Sequence, residues 1–416
     1  MKTAILHYSI PPVVGGVEAV IYAHTALLLN EGYPVRLIAG AGDKSALPDG
    51  AEFIQFPEMD SRYPQVVQIS QQLEAGSVPS EFETLSATLE KHLEVALQSM
   101  DSVMVHNVFT KHFNLPLTAA LVRLLDKGKL KNCIAWCHDF SWTSSHSHSR
   151  VHPGYPWALL RTQRDDITYV TVSRSRQEEL AGLFNCPIER IQVIYDGVDP
   201  ADLYSLSEEG QALITHLDLG DADLILLMPV RITQAKNIEK ALEVIASLKH
   251  RGIQPKLVIT GPPDPHDPGD LQYYQSLLDL RRKLHVEQEA RFVYESGPRP
   301  GEGYTIGLSL VRELYRTCDV LFMPSHREGF GMPILEAGMI GMPIFSTEIP
   351  AAEEIGGQHV TRFLPDDAAV KVADMILGWA QNSSVQRLRQ RVRRNFTWQA
   401  IFHHDILPLL TGGEAI

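Results

Sequence analysis

The feature that most constrains the fold is a strand–loop–helix–strand pattern late in the chain. Short apolar runs at residues 319–324 and 342–345 have the length and composition of buried strands. Between them, a loop containing Gly329 and Gly331 leads into a helix that we predict from about Pro333. Two apolar strands joined through a helix are typical of an α/β fold with a parallel sheet.

The loop of this unit places two carboxylates beside a site suited to phosphate. Gly329 and Gly331 allow the backbone to approach a ligand closely, and the first N–H groups of the following helix attract anions. Glu328 lies on the loop and Glu336 on the helix. Because a carboxylate repels phosphate, we expect both to accept hydrogen bonds from hydroxyl groups on either side of it. The hexose and the ribose of a nucleotide-diphosphate sugar would supply those hydroxyls.

The stretch EGFGMPILEAGMIGMPI, which begins at Glu328, resembles the donor-site signature of retaining nucleotide-sugar glycosyltransferases of the GT-B fold. It is most similar to glycosyltransferase family four (glycosyl transferases group 1). The resemblance implies that Glu328 orients the hydroxyls of the sugar and that Glu336 binds the ribose. It also implies that Gly329, Phe330 and Gly331 line the donor site. The alternative is an ordinary strand-to-helix turn with two solvated glutamates.

The length of the chain fits two such domains. A chain of 416 residues is too long for one ordinary core, and it opens with strands at residues 3–8 and 35–39 around a helix, a Rossmann-like pattern. The resemblance implies two Rossmann-like α/β domains whose parallel sheets face each other across a cleft. We predict an acceptor-binding domain at residues 1–200 and a nucleotide-sugar-binding domain at residues 201–395. A C-terminal helix at residues 396–416 is expected to cross back to the first domain.

Two cations follow the first strand predicted in the second domain, at residues 224–230. Arg231 and Lys236 lie on the loop after this strand. Cations held near a crevice can stabilise a leaving diphosphate, and the resembling family has an Arg and a Lys on the same loop. Asn237 stands where that family usually has Gly, but Asn also tolerates a left-handed backbone. We therefore expect Arg231 and Lys236 to hold the diphosphate, although a solvated lysine remains an alternative for Lys236 alone.

The first domain supplies further candidates. Gly15 and Gly16 resemble the family loop where acceptor and donor meet, although a simple turn explains them equally well. His138 follows a predicted strand at residues 133–137, and by position it matches the family histidine that contacts the transferred sugar. We interpret His138 as a catalytic residue. His106 also ends a predicted strand, but a structural role is the more natural explanation for it.

The sequence gives no reason to expect a metal or a cofactor. The histidine-rich run at residues 146–152 lacks a partner set at zinc-like spacing, and Cys133 with Cys137 is not a Cys-x-x-Cys pair. Asp221 and Asp223 resemble the Asp-x-Asp metal motif of the other major glycosyltransferase fold, but they precede their strand instead of following it. We therefore predict metal-independent transfer with the nucleotide-sugar as substrate and no cofactor.

Charge and cysteine content restrict the partners. A formal net charge of -13 leaves no electrostatic footprint for nucleic acid and disfavours a broad basic membrane-binding surface. The four cysteines lack the spacing of a disulfide framework, and no apolar run is long enough for a signal peptide or a membrane span. We expect a cytoplasmic protein without nucleic-acid or integral membrane contacts. A homodimer is left open.

These features together predict a hexosyltransferase. UDP-glucose and GDP-mannose are the leading donors, and a small soluble sugar, sugar acid or sugar phosphate is the expected acceptor. The resemblance implies front-face transfer, in which the departing phosphate accepts the proton of the acceptor, so that no protein nucleophile is needed. The alternatives are a nucleotide-sugar epimerase of the same fold, a non-catalytic nucleotide-sugar-binding subunit, and a transferase that acts on a lipid or polysaccharide acceptor.

Overall fold

The structure is a computed structural model that describes residues 1–263, 268–297 and 302–412. The strands of the described residues are β1 (Thr3–Leu6), β2 (Val35–Ala39), β3 (Glu52–Gln55), β4 (Ser102–His106), β5 (Cys133–Cys137), β6 (Ile167–Thr171), β7 (Ile191–Val193), β8 (Leu224–Met228), β9 (Pro255–Ile259), β10 (Ala290–Phe292), β11 (Val320–Met323), β12 (Ile344–Thr347) and β13 (Thr361–Phe363). The α-helices of the described residues are α1 (Gly16–Asn30), α2 (Pro64–Glu74), α3 (Ser80–Ala96), α4 (Leu115–Asp126), α5 (Arg174–Phe184), α6 (Pro200–Leu203), α7 (Glu208–His216), α8 (Ile238–Lys249), α9 (Pro268–Lys283), α10 (Leu308–Thr317), α11 (Met332–Met339), α12 (Ala369–Asn382), α13 (Ser384–Asn395), α14 (Trp398–Ile401) and α15 (Leu407–Thr411).

The strands form two parallel sheets. The first has seven strands in the order β3-β2-β1-β4-β5-β6-β7, and the second has six in the order β10-β9-β8-β11-β12-β13. In each sheet the strand order reverses once, between β1 and β4 and between β8 and β11. In open parallel sheets, ligands bind at such a switch point, outside the carboxyl ends of the strands. The topology therefore marks one candidate position in each sheet.

The chain divides into two compact units. The first comprises Met1–Gly197 together with Trp398–Ile416, and the second comprises Val198–Thr397. The C-terminal segment belongs to the first unit because Ile401, Phe402, Ile406 and Leu410 are buried in the same cluster as Ile5. This return of the C-terminal helix was predicted from the sequence, although residues 413–416 of the predicted range lie outside the described residues.

The central strands form because their sequences are apolar throughout. All five residues of β8 are buried, and all four of β11 are buried, as expected for strands with helices on both faces of the sheet. Separate buried clusters cover the two faces of each sheet. The predicted class, two Rossmann-like α/β domains, is confirmed. Within the described residues, no helix combines the length and the apolar character needed to cross a membrane.

Candidate functional site

The switch point of the second sheet brings together two loops that are distant in sequence. One follows β8 and carries Arg231 and Lys236, and the other follows β11 and carries Glu328. The backbone N–H of His326 donates to the carbonyl oxygen of Ala235 at 2.9 Å, which holds the two loops against each other. The carboxyl ends of β8 and β11 therefore bring together charged residues that the sequence predicted on two separate loops.

Glu328 is fixed by hydrogen bonds at both carboxylate oxygens. Lys236 Nζ lies 2.7 Å from Glu328 Oε2, and Ser325 Oγ donates to Glu328 Oε1 at 2.7 Å. Thr347 Oγ1 in turn donates to the carbonyl oxygen of Ser325 at 2.5 Å. The Glu328 side chain is only 8% exposed. Among the described residues, these two contacts use about half of the roughly four hydrogen bonds that a carboxylate can accept.

The loop after β8 has a backbone shape that depends on particular residues. Asn237 has φ 49° and ψ 53°, so the left-handed backbone that we expected Asn to tolerate is confirmed. The segment that follows the neighbouring β9 contacts this loop through Gly261, where a Cβ atom would lie 2.3 Å from the carbonyl oxygen of Val230. Ile232 donates its N–H to the carbonyl oxygen of Pro262 at 3.0 Å. These contacts fix the backbone from which the exposed Arg231 side chain projects.

The glycine-rich turn leads into α11 as the sequence predicted. Gly331 has φ 89°, which favours glycine, and it directly precedes the first helical residue, with Pro333 in the first turn. The first N–H groups of a helix lack partners within the helix, so this end of α11 suits an anion. Gly329 and Phe330 are exposed beside it. Whether these residues contact a donor stays a prediction.

Glu336 has a buried partner that the sequence analysis missed. Tyr315 of α10 donates its hydroxyl hydrogen to Glu336 Oε2 at 2.6 Å. Burial, followed by the hydrogen bond to Glu336, raises the pKa of Tyr315, so the hydroxyl keeps its proton. Glu336 is an exposed residue of α11, and the hydrogen bond from Tyr315 orients its carboxylate. A buried tyrosine on an amphipathic helix needs a hydrogen-bond partner, which is the only signal that could have revealed it.

In the first unit, the switch point carries the two candidate histidines. His106 ends β4 and His138 follows β5, and His106 Nδ1 lies 3.3 Å from His138 Nε2. Asn107, with φ 59°, accepts from the backbone N–H of His138 at 2.8 Å and from that of Asp139 at 3.3 Å. The sequence analysis did not single out Asn107. An Asn directly after a strand, in a position that bends the backbone, was the available signal.

Two more histidines complete a buried cluster. His7 Nδ1 donates to the carbonyl oxygen of His106 at 2.9 Å, and the His24 ring lies 4.6 Å from that of Trp136. Neither His24 nitrogen has a hydrogen-bond partner among the described residues. Burial lowers the pKa of His24 to about 3 and that of His138 to about 4, and it also lowers the pKa values of His7 and His106. All four rings are therefore neutral near pH 7.

The two glycines at the start of α1 differ in their surroundings. A Cβ atom on Gly15 would lie 2.2 Å from Glu18 Oε2, because Glu18 folds back and accepts a hydrogen bond from Ser9 Oγ at 2.7 Å. A Cβ atom on Gly16 would meet nothing within 4 Å. The structure thus gives Gly15 a packing reason and leaves space beside Gly16. A ligand contact at either residue stays a prediction.

The residues that resemble metal motifs have structural partners. Asp223 is buried, pairs with Arg394 and accepts from the N–H of Gln254 at 2.9 Å. His148 Nδ1 and His152 Nε2 each bond a backbone carbonyl oxygen, at 2.7 Å and 2.9 Å. No group of three or more His, Cys, Asp or Glu side chains in the described ranges is arranged to hold a metal ion.

Comparison with known proteins gives consistent matches. The chain matches the family Glycosyltransferase Family 4 over residues 14–202 and the family Glycosyl transferases group 1 over residues 214–396. It is 28% identical over 240 residues to an uncharacterized glycosyltransferase of Methanocaldococcus jannaschii, covering 56% of this chain and 57% of the relative. It is 26% identical over 266 residues to a glycogen synthase of Mycobacterium tuberculosis, covering 62% of this chain and 57% of the relative.

A third relative is the D-inositol 3-phosphate glycosyltransferase of Saccharomonospora viridis, which is 27% identical over 231 residues, covering 53% of this chain and 50% of the relative. The matched segments thus span between half and three-fifths of the length of these relatives. The match over residues 214–396 lies within the second unit, and the match over residues 14–202 covers most of the first unit and extends five residues past Gly197.

Proposed function

We propose, from the premise that this chain belongs to the GT-B glycosyltransferases of the group 1 family, that it transfers a hexose from a nucleotide-diphosphate sugar to a small soluble acceptor. The transfer would proceed with retention of configuration at the sugar and without a metal ion. UDP-glucose and GDP-mannose are the donors we expect first.

The observation that carries this proposal is the contact between Lys236 and Glu328 at the switch point of the second sheet. A cation and a carboxylate 2.7 Å apart compensate each other's charge. A donor would offer a phosphate oxygen to Lys236 and a sugar hydroxyl to Glu328. The pair therefore suits a ligand that carries an anionic group next to hydroxyls.

The other residues of the site fit the same ligand. Arg231 would join Lys236 at the diphosphate, together with the backbone N–H groups of Gly329 to Gly331 and the start of α11. Glu336, oriented by Tyr315, would accept hydrogen bonds from the ribose. In the first unit, His138 would contact the transferred sugar.

The chemistry assigned to these residues is electrostatic. As the bond from the anomeric carbon to the phosphate oxygen breaks, negative charge grows on the diphosphate, and Arg231 and Lys236 would stabilise it. The acceptor hydroxyl oxygen forms its bond on the same face of the sugar, and its proton passes to the departing phosphate oxygen. The residues then serve to bind, orient and neutralise charge, and none is needed as a nucleophile.

The names of the relatives support sugar-like acceptors. One relative is named for transfer involving D-inositol 3-phosphate, which is a small phosphorylated polyol, and this supports a sugar phosphate as acceptor. Another is named a glycogen synthase, and this favours a polysaccharide as the second candidate.

The proposal is tested by incubating purified protein with a panel of nucleotide-sugars and measuring released nucleotide, with and without candidate acceptors. Release that requires an acceptor, with a product of retained anomeric configuration by NMR, is the expected result. An epimerised nucleotide-sugar formed without an acceptor would instead indicate an epimerase. If nucleotide-sugars raise the melting temperature but no acceptor supports release, the binding-subunit alternative is favoured.

A further inference from the structure

The rings of His106 and His138 lie within hydrogen-bond distance of each other at the switch point of the first sheet. Their rings are nearly parallel, at 23°, and His106 Nδ1 lies 3.3 Å from His138 Nε2. Burial lowers the pKa of both rings, so both are neutral near pH 7. Two neutral imidazoles can form this hydrogen bond only if one nitrogen donates and the other accepts. The pair therefore has two arrangements, which differ in which nitrogen of each ring carries its single proton.

The surroundings of His106 favour one of these arrangements. His106 Nε2 is buried and has no hydrogen-bond partner among the described residues. If His138 were the donor, the only proton of neutral His106 would lie on Nε2 as an unpaired buried N–H, which is the rarer kind of unsatisfied group in proteins. If His106 is the donor, its proton lies on Nδ1 in the hydrogen bond, and Nε2 is left as a bare acceptor against the aromatic rings of His24 and Trp136.

We propose that His106 is a positioning residue that donates its Nδ1 proton to His138 and thereby holds His138 in the Nδ1–H tautomer. His138 then keeps one N–H for a ligand. This N–H would donate to an oxygen, such as a hydroxyl oxygen of the transferred hexose, and that last step rests on the proposed function.

The neighbouring contacts hold both rings in place for this role. The carbonyl oxygen of His106 accepts from His7 Nδ1 at 2.9 Å, and since a carbonyl only accepts, His7 must carry its proton on Nδ1. Asn107 Oδ1 accepts from the backbone N–H groups of His138 and Asp139. The backbones that carry the two rings are thus fixed on both sides of the shared proton, which is what positioning requires.

The direct test reads the tautomers by NMR. In protein labelled with ¹⁵N-histidine, long-range ¹H–¹⁵N correlations distinguish a protonated ring nitrogen from a bare one, and the His138 signals are assigned by their absence in His138→Gln. We expect the unmodified protein to show His138 with a protonated Nδ1 and a bare Nε2. A protonated Nε2 on His138 would overturn the proposal. This measurement needs no donor, no acceptor and no activity, so it stands even if the proposed function fails.

Variants of His106 supply the second test. His106→Leu removes the donor, and we expect His138 to become a mixture of tautomers. His106→Asn places an amide N–H close to the position of Nδ1, and we expect it to restore the Nδ1–H tautomer. His24→Phe is the matched control, because His24 belongs to the same buried cluster but makes no hydrogen bond to His138. An unchanged His138 spectrum in folded His106→Leu would contradict the proposal.

In the transfer reaction, we expect His106→Leu to lower kcat by about 10–100-fold, the size of effect typical for a partner that orients a ligating histidine. His106→Asn should recover most of that loss. Equal losses in His106→Leu and His106→Asn would indicate a packing role and overturn the positioning role. If the protein proves to have no transferase activity, the NMR result alone decides.

Discussion

At the scale of single residues, Lys236 and Glu328 form a largely buried ion pair. The Lys236 side chain is 20% exposed and that of Glu328 is 8% exposed. Removing one member of such a pair leaves the other charge without compensation. Substitutions here therefore change both the binding of a ligand and the state of the partner residue.

The first prediction concerns positive charge at the diphosphate. We expect Lys236→Ala or Arg231→Ala to slow transfer by about 100-fold or more, because each removes a donor that would stabilise developing negative charge. Steady-state assays with the donor that the nucleotide-sugar panel identifies measure this. The control is Lys249→Ala, which removes a lysine that pairs with Glu289 at 2.8 Å at the other end of α8. Near-normal turnover in both site variants would rule out this diphosphate site.

The second prediction separates the two glutamates. Glu328→Gln should lower kcat more than it changes the KM for the donor, because contacts at the reacting sugar strengthen in the transition state. Glu336→Gln should mainly raise the KM for the donor, because the ribose is remote from bond breaking. Tyr315→Phe removes the hydrogen bond to Glu336 and should share the KM effect in weaker form. The opposite pattern in the two glutamate variants would reverse the sugar and ribose assignments.

At the scale of elements, the site depends on how β11 is anchored at its opposite end. Asp319, directly before β11, is 1% exposed and accepts from the backbone N–H of Ile225 at 2.8 Å. It also accepts from Arg393 of α13 at 2.8 Å and 3.0 Å. This buried pair connects α13 to the two strands that form the switch point, β8 and β11.

The third prediction follows from this anchor. Arg393→Leu leaves the buried charge of Asp319 with only the longer contact to Arg389 at 3.3 Å, and we expect the free energy of unfolding of the second unit to fall by about 3 kcal/mol. Urea unfolding measures the loss. The matched control is Arg387→Ala on the same helix, an exposed residue without an ion pair among the described residues, for which a change within about 0.5 kcal/mol is expected. Equal stabilities for the two variants would contradict the role of the anchor.

At the scale of the whole molecule, the buried histidine cluster links stability to pH. His24 is fully buried, and its folded-state pKa of about 3 lies below the ordinary value of 6.5. As the pH falls below 6.5, the unfolded chain binds a proton that the folded protein excludes until about pH 3. His24 therefore does not reduce the free energy of unfolding well above pH 6.5. It lowers this free energy progressively as the pH falls from about 6.5 to about 3.

The fourth prediction is a smaller acid sensitivity in His24→Phe. Each such histidine costs about 1.4 kcal/mol of stability per pH unit below its unfolded pKa. The unfolded-state histidine is already half protonated at pH 6.5, so we expect urea unfolding of His24→Phe to lose about 1 kcal/mol less stability than the unmodified protein between about pH 6.5 and about pH 5.5. The control His146→Gln, at an exposed histidine of the same unit, should lose as much stability over this pH range as the unmodified protein. The prediction fails if both variants lose as much stability as the unmodified protein.

The fifth prediction concerns divalent metal. Because Arg231 and Lys236 are assigned the charge-stabilising role that a metal ion has in other transferases, activity should survive exhaustive treatment with EDTA. The assay compares turnover before chelation, after chelation and after addition of Mg²⁺ or Mn²⁺. Complete loss with EDTA and recovery with either ion would count against the assignment.

The strands with local apolar signals were predictable, whereas three of the four edge strands in the described residues were not. The predicted positions of β2, β4 and β5 agree with the structure, because each is a short apolar run whose signal lies in its own sequence. The sequence analysis missed β3, β7 and β13. These lie at sheet edges or carry exposed residues, so their sequences do not show the apolar pattern of buried strands.

By itself, the sequence singled out the candidate site residues, because the glycine-rich turn, the loop cations and the strand-ending histidines are patterns of neighbouring residues. Only the tertiary structure decided which of them meet. Lys236 reaches Glu328, 92 positions away, because β11 pairs with β8 and not with β10, the strand that precedes β11 in the chain. His106 reaches His138 because β4 pairs with β5. Strand order depends on how the two faces of each sheet bury their apolar residues, which is a property of the whole packed unit and is not present in any local stretch of sequence.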